Sequence, residues 1–156
     1  MTTAAQATAA DRIFVGTVSA VTVRANAKRP QYFETVVRFR VDETVAGTAG
    51  SEVEVVLSGG EMNGIRQRVE DMPELAVGER YVALLEADQS PRLTSPFVGF
   101  NQGLYRVVGD ARASAVVRDR KGGSLSAEAV PATARGAGGD PTLDAFLAIL
   151  RAARKP

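Results

Sequence analysis

Two stretches of this sequence place residues together in a way that suits recognition. Arg24, Lys28, Arg29, Tyr32 and Phe33 set cations beside aromatics within one polar connector, Ala25-Asn26-Ala27-Lys28-Arg29-Pro30-Gln31. Such a mixture can meet phosphates with its charges and stack bases or sugars on its rings. The same spacing also suits a solvated hairpin loop whose aromatics turn inward. Pro96-Phe97-Val98-Gly99-Phe100-Asn101-Gln102-Gly103 pairs two phenylalanines with two amides and flexible glycines. Exposed, Phe97 and Phe100 would form a patch for a protein partner or carbohydrate, with Asn101 and Gln102 supplying hydrogen bonds. Buried, they would plug the end of a β-structure.

Residue types that could carry a reaction are scarce. The 156 residues include no cysteine and no histidine. Thiolate chemistry, disulfides and Cys-based metal centres are therefore excluded, along with the commonest general base and transition-metal ligand. The adjacent carboxylates Asp42 with Glu43 and Glu70 with Asp71 would point to opposite faces of a strand, which does not poise them for acid–base work. Gly59-Gly60-Glu61-Met62-Asn63-Gly64 lacks the Lys-Ser/Thr and the strand-to-helix setting of a phosphate-cradling loop. It reads as a turn using positive φ. No calcium-loop spacing is present. The expectation is a protein with no catalytic residues, no metal and no cofactor. An enzyme would need a carboxylate pair or a Ser–Lys dyad that the spacing does not reveal.

Length and composition describe what must hold these residues. At 156 residues, 45% hydrophobic and 24% charged, the chain suits one globular domain with one ordinary core. Its 19 basic and 18 acidic residues leave a net charge of +1, too little to draw nucleic acid or anionic lipid over distance. No apolar run is long enough to span a membrane. Residues 1–10, rich in Ala and Thr, have neither a basic nor an apolar signal region and are expected to be a disordered leader.

From Asp11 the sequence alternates. Ile13 and Val15 fall on one side of a strand and Phe14, Gly16 and Val18 on the other, so its start is expected to be buried on both faces, with Gly16 at a bend or bulge. Tyr32 to Val45 is the clearest strand, with Phe33, Thr35, Val37, Phe39 and Val41 towards a core and most intervening residues towards water. Further strands are expected around Val53–Leu57, within Ile65–Val69, and at Arg80–Glu86, Gly103–Val108 and Ala113–Asp119. Residues 11–120 would form the β-domain and 121–139, rich in Gly and Pro, a linker. A helix over 140–156 follows, with Asp140 as N-cap, Pro141 at the first position, and Leu143, Phe146, Leu147 and Leu150 on one face docked on the β-domain. The pattern predicts a mainly β fold: a small antiparallel Greek-key barrel of OB type with a C-terminal α-helix, or alternatively a β-sandwich.

The segment from Ala10 to Val108 resembles a module of secreted bacterial proteins related to the OB-fold domain of tissue inhibitors of metalloproteinases and netrins. The similarity is carried by Asp11-Arg12-Ile13-Phe14-Val15-Gly16-Thr17-Val18, by Thr35–Gly47, by Gly59-Gly60, Gly64, Val69 and Pro73-Glu74-Leu75, and by Gly78–Val82 and Val98–Val107. It implies an extracytoplasmic, secreted or periplasmic, non-enzymatic module whose signal peptide is absent from this chain. The partner it implies is a protein, with a secreted protease among the possibilities. The animal inhibitors chelate a protease zinc through an N-terminal cysteine, and with no cysteine here that role has no residue to inherit it. The competing reading is an OB domain for oligosaccharide or single-stranded nucleic acid that uses the basic-aromatic connector. Nucleic acid is the less expected of these ligands at so small a net charge.

Overall fold

The computed structural model describes residues 2–87, 96–99, 101–109, 115–126, 130, 133, 135 and 139–155. In chain order the elements are α1 (Thr3–Ala9), β1 (Arg12–Ala25), β2 (Phe33–Ala46), β3 (Glu52–Ser58), β4 (Gly60–Met62), β5 (Ile65–Gln67), β6 (Arg80–Leu85), β7 (Leu104–Val108), β8 (Val116–Asp119) and α2 (Leu143–Ala153). Six strands form one sheet in the order β3-β2-β1-β6-β7-β8, and β4 and β5 form a separate hairpin. All the pairings are antiparallel.

The alternation of side chains explains how this sheet is covered. In β1, Ile13 and Val15 join one buried cluster while Phe14 and Val18 join the other. In β6, Val82 and Leu84 go to the first cluster, and Tyr81, Ala83 and Leu85 to the second. The first cluster is closed by the helices, through Ala7 of α1 and Leu143, Phe146, Leu147 and Leu150 of α2. The second gathers Val53, Val55 and Leu57 of β3 with residues from β1, β2, β6 and β7, so the sheet curls around its own inner face. Phe39 stands edge-on to Phe14 and to Tyr81, with centroids 5.4 and 6.4 Å apart. Both faces of β1 are buried near its start, as its sequence predicts. The end strands β3 and β8 are not paired with each other, so the architecture is an open, curled antiparallel sheet and not a closed barrel.

Three expectations about the chain's other parts change. The leader is not without structure: Thr3–Ala9 is helical, and Thr3, Gln6 and Ala7 are buried. So short a helix is marginal alone; here Arg154 of α2 donates from its Nη1 to the carbonyls of Ala7 (2.8 Å) and Ala10 (2.6 Å), holding the C-terminal end of α1. Helix α2 begins later than its cap signals suggest. Val117 N–H donates to the Pro141 carbonyl and Leu143 N–H to the Ala115 carbonyl, both at 2.9 Å, so residues 141–142 run extended beside β8. Thr142 is then the N-cap, accepting from Ala145 N–H at 3.1 Å, while Asp140 is bound by Arg118 Nε at 3.0 Å. Within the expected linker, Leu125 and Val130 are buried in the helix-side cluster. The Arg135 guanidinium gathers the carbonyls of Leu125, Ser126, Val130 and Gly139 around it.

Candidate functional site

The connector between β1 and β2 is shaped by Asn26, whose side-chain oxygen accepts from the Lys28 and Arg29 backbone N–H groups, each at 3.0 Å. This local turn lifts Lys28, Arg29 and Tyr32 to the surface, with Tyr32 51% exposed. Arg24 has a different fate. Its Nε lies 2.7 Å from Glu34 Oε1, and Asn26 Nδ2 donates to the other carboxylate oxygen at 3.1 Å. Glu34 is buried and is the cross-strand neighbour of Arg24, so Arg24 is committed to compensating a desolvated carboxylate.

Gln67 of β5 fastens the β4–β5 hairpin to this connector. Its Nε2 donates to the Gln31 carbonyl at 2.7 Å, and its Oε1 accepts from Phe33 N–H at 2.6 Å. Ile65, at the turn end of the same hairpin, is 57% exposed. Tyr32 and Ile65 are two of the four large apolar side chains exposed among the described residues, with Val77 and Val108, and they lie on segments that Gln67 ties together.

Beside the hairpin a cleft of about 800 Å³ opens onto the inner face of the sheet. Val21 and Val23 of β1, Val37 of β2 and Leu57 of β3 supply an aliphatic floor. The hairpin lies close over it: a Cβ on Gly60 would stand 2.8 Å from both Thr35 Oγ1 and Val23 Cγ1, so only glycine fits. The opposite wall carries Val69, Met72 and Leu75, and the rim carries Arg66, Arg68, Arg120 and Lys121. None of the described residues lining it is aromatic. Sequence reasoning missed this site because its walls come from segments with little periodicity and from the turn after β8. The one signal was the apolar Val69, Met72 and Leu75 within an otherwise polar stretch.

The second stretch singled out in the sequence divides differently. Phe97 is fully buried and bridges to Leu85, so it closes one end of the inner core. Asn101 is also buried and donates from Nδ2 to the Asp71 carbonyl, bracing the cleft wall from behind; its Oδ1 has no partner among the described residues. Gln102 is exposed, and Phe100 lies outside the described residues. The structure therefore brings together Lys28, Arg29 and Tyr32, removes Phe97 from the surface and gives Arg24 and Asn101 structural partners.

Polar groups inside the protein are arranged for stability. Tyr81 donates to Glu79 Oε1 at 2.9 Å, and Glu79 also receives Ala76 N–H at 2.7 Å and Arg106 Nη1 at 2.8 Å. Burial, then the hydrogen bond and charge of Glu79, hold the Tyr81 phenol far above its ordinary pKa, against a lowering by Arg106. Tyr105 donates to Gln6 of α1 and lies 3.5 Å from Thr3 Oγ1; its pKa is also raised, by burial, with those two hydrogen bonds opposing. Neither phenol is prepared to lose a proton near neutrality. No described helix is long and apolar enough to cross a membrane. No family model, curated protein or solved structure matches this chain.

Proposed function

We propose that this protein is a non-catalytic, exported binding module of open OB type, and that it engages a protein partner through Lys28, Arg29, Tyr32 and Ile65. The observation that carries this reading is the exposure of Tyr32 and Ile65 on two segments tied together by Gln67. An exposed aromatic among cations, with an exposed aliphatic side chain on a tethered segment, has the composition of an interaction hot spot. The OB assignment is supported by a β1-β2-β3 meander whose first strand also pairs with β6. Export, and the likeness to metalloprotease-inhibitor and netrin modules, rest on the resemblance of residues 10–108. Inhibition by zinc chelation is not part of the proposal, because the chain has no cysteine.

A photo-crosslinking residue placed at Tyr32 and at Ile65 in the source cells tests this reading, with exposed Ala148 on α2 as the control. One protein of the extracytoplasmic fraction should be captured from the first two positions and not from the third. Capture of nucleic acid or glycan at Tyr32, or identical capture from all three, would overturn it. The oligosaccharide or single-stranded nucleic-acid reading is favoured by the cations of the connector; the lack of an aromatic ring among the described residues of the cleft weighs against it, since bases and sugars need a ring on which to stack.

A further inference from the structure

The cleft has a chemistry of its own, distinct from the exposed Tyr32 and Ile65. Its floor continues the inner core through buried Val37 and Leu57, while Val21 and Val23, with Val69, Met72 and Leu75 of the wall, are only partly buried and are the apolar groups that the fold leaves open to a ligand. A cleft of about 800 Å³ lies in the range that encloses a small molecule. The rim decides which one. Arg66 is held by Glu74 at 3.2 Å and stands opposite Glu61 in the β4–β5 register. Arg68, Arg120 and Lys121 have no carboxylate partner among the described residues, and these three cations outnumber the two lining acids left after the Arg66–Glu74 pair, Glu61 and Asp71. A ligand that satisfies both parts has an aliphatic body and an anionic head.

We propose that the cleft binds a small amphipathic anion, an aliphatic carboxylate, with its chain against Val21, Val23, Val69, Met72 and Leu75 and its head at Arg68, Arg120 and Lys121. Chain burial supplies the affinity and the cations select the sign of the head group. That no described lining residue is aromatic fits a flexible alkyl chain. Gly59 and Gly60 matter because any side chain at Gly60 would push the hairpin off the floor.

The test is a titration of the full chain with decanoate below its micelle concentration, followed by methyl NMR. Acetate serves as a control without a chain, and decyltrimethylammonium as a control with the opposite head charge. Decanoate should saturate, shifting the methyls of Val21, Val23, Val69, Met72 and Leu75, while neither control does so. The double variant Arg68→Glu, Lys121→Glu, on exposed positions and with an unchanged melting temperature, should weaken decanoate about tenfold. Absence of saturable shifts, equal binding of the two head groups, or shifts confined to the helices would overturn the proposal. Each of these results leaves the crosslinking outcome at Tyr32 and Ile65 untouched, so the two readings fail separately.

Discussion

Gly16 sits where β1 shifts register against β2, and a Cβ there would come within 2.9 Å of the Phe14 ring and 3.1 Å of the Arg40 carbonyl. The Phe14 ring covers the space that a side chain would occupy, and Phe14 in turn packs edge-on to Phe39. Gly16→Val should therefore cost about 1–3 kcal/mol through overpacking, read by urea unfolding. Arg24 and its neighbours separate by role at the same scale. Arg24→Ala leaves buried Glu34 with Asn26 alone and should destabilise by about 1–2 kcal/mol, held below a fully buried pair by the exposure of Arg24. Lys28→Ala, Arg29→Ala and Tyr32→Ala should stay within about 0.5 kcal/mol while losing crosslinked partner. Loss of stability in the second set, or none in the first, would reverse the assignment. Tyr81 gives a pH signature. Its folded pKa lies above the ordinary 10.0, so its contribution is fully present below pH 10 and is lost as pH rises through the folded value, because the unfolded chain releases a proton that the folded chain keeps. Tyr81→Phe should cost about 1 kcal/mol at neutral pH and flatten the alkaline fall in stability relative to the parent.

Helices α1 and α2 show how elements with weak local signals are fixed by their neighbours. Helix α1 is seven residues of Ala, Thr and Gln; its small side chains allow close approach, and Gln6 reaches the Tyr105 hydroxyl. Tyr105 in turn stacks edge-on with Phe146 of α2 at 4.8 Å. Deleting residues 2–9 should lower the melting temperature by several degrees, since about 1 kcal/mol corresponds to roughly 2–8 °C in domains of this size range. Arg154→Ala should reproduce part of that loss by freeing the carbonyls of Ala7 and Ala10. A calorimetric scan of both variants checks this, and an unchanged transition in each would mean that α1 does not dock in solution. Thr142→Ala should cost about 1 kcal/mol as the loss of a true cap.

At the scale of the molecule, an open sheet has two ends to protect. β3 is an end strand, and its outward Glu52 and Glu54 lie 4.0 and 3.0 Å from Arg38 of β2. Such pairs add little stability when exposed, but charges on an edge discourage pairing with a second chain. Glu52→Val with Glu54→Val should leave the fold intact and produce concentration-dependent association in size-exclusion chromatography. A variant that stays monomeric at the highest concentration would show that the edge is protected by other means. The net charge of +1 gives little repulsion to oppose such association, so the local charges carry that task.

The amino-acid sequence by itself located the strands of the six-stranded sheet, because the pleat sends neighbouring side chains to opposite faces whatever the partner, while Gly60–Met62, read as part of a turn, became β4. That is why the two-sided burial at the start of β1, the inward Val37 and Phe39 of β2 and the apolar face of α2 are legible in the sequence, whereas the burial of Glu34 and Val36 on the other face of β2 was not. It also excluded thiol and imidazole chemistry, which follows from residue types alone. The openness of the sheet was decided only by tertiary structure, since the pattern of β3 and β8 is the same whether their edges meet or not. The start of α2 was decided by backbone pairing of residues 141–143 with the β8 segment, which overrode a sound cap signal at Asp140. Loop residues depended most on the fold: similar aromatics became an exposed Tyr32 and a buried Phe97, because nothing local fixes where a loop side chain points. The cleft joins Val21 to Lys121 across most of the chain, and only the curling of the sheet, driven by burial of its inner face, brings them to one place.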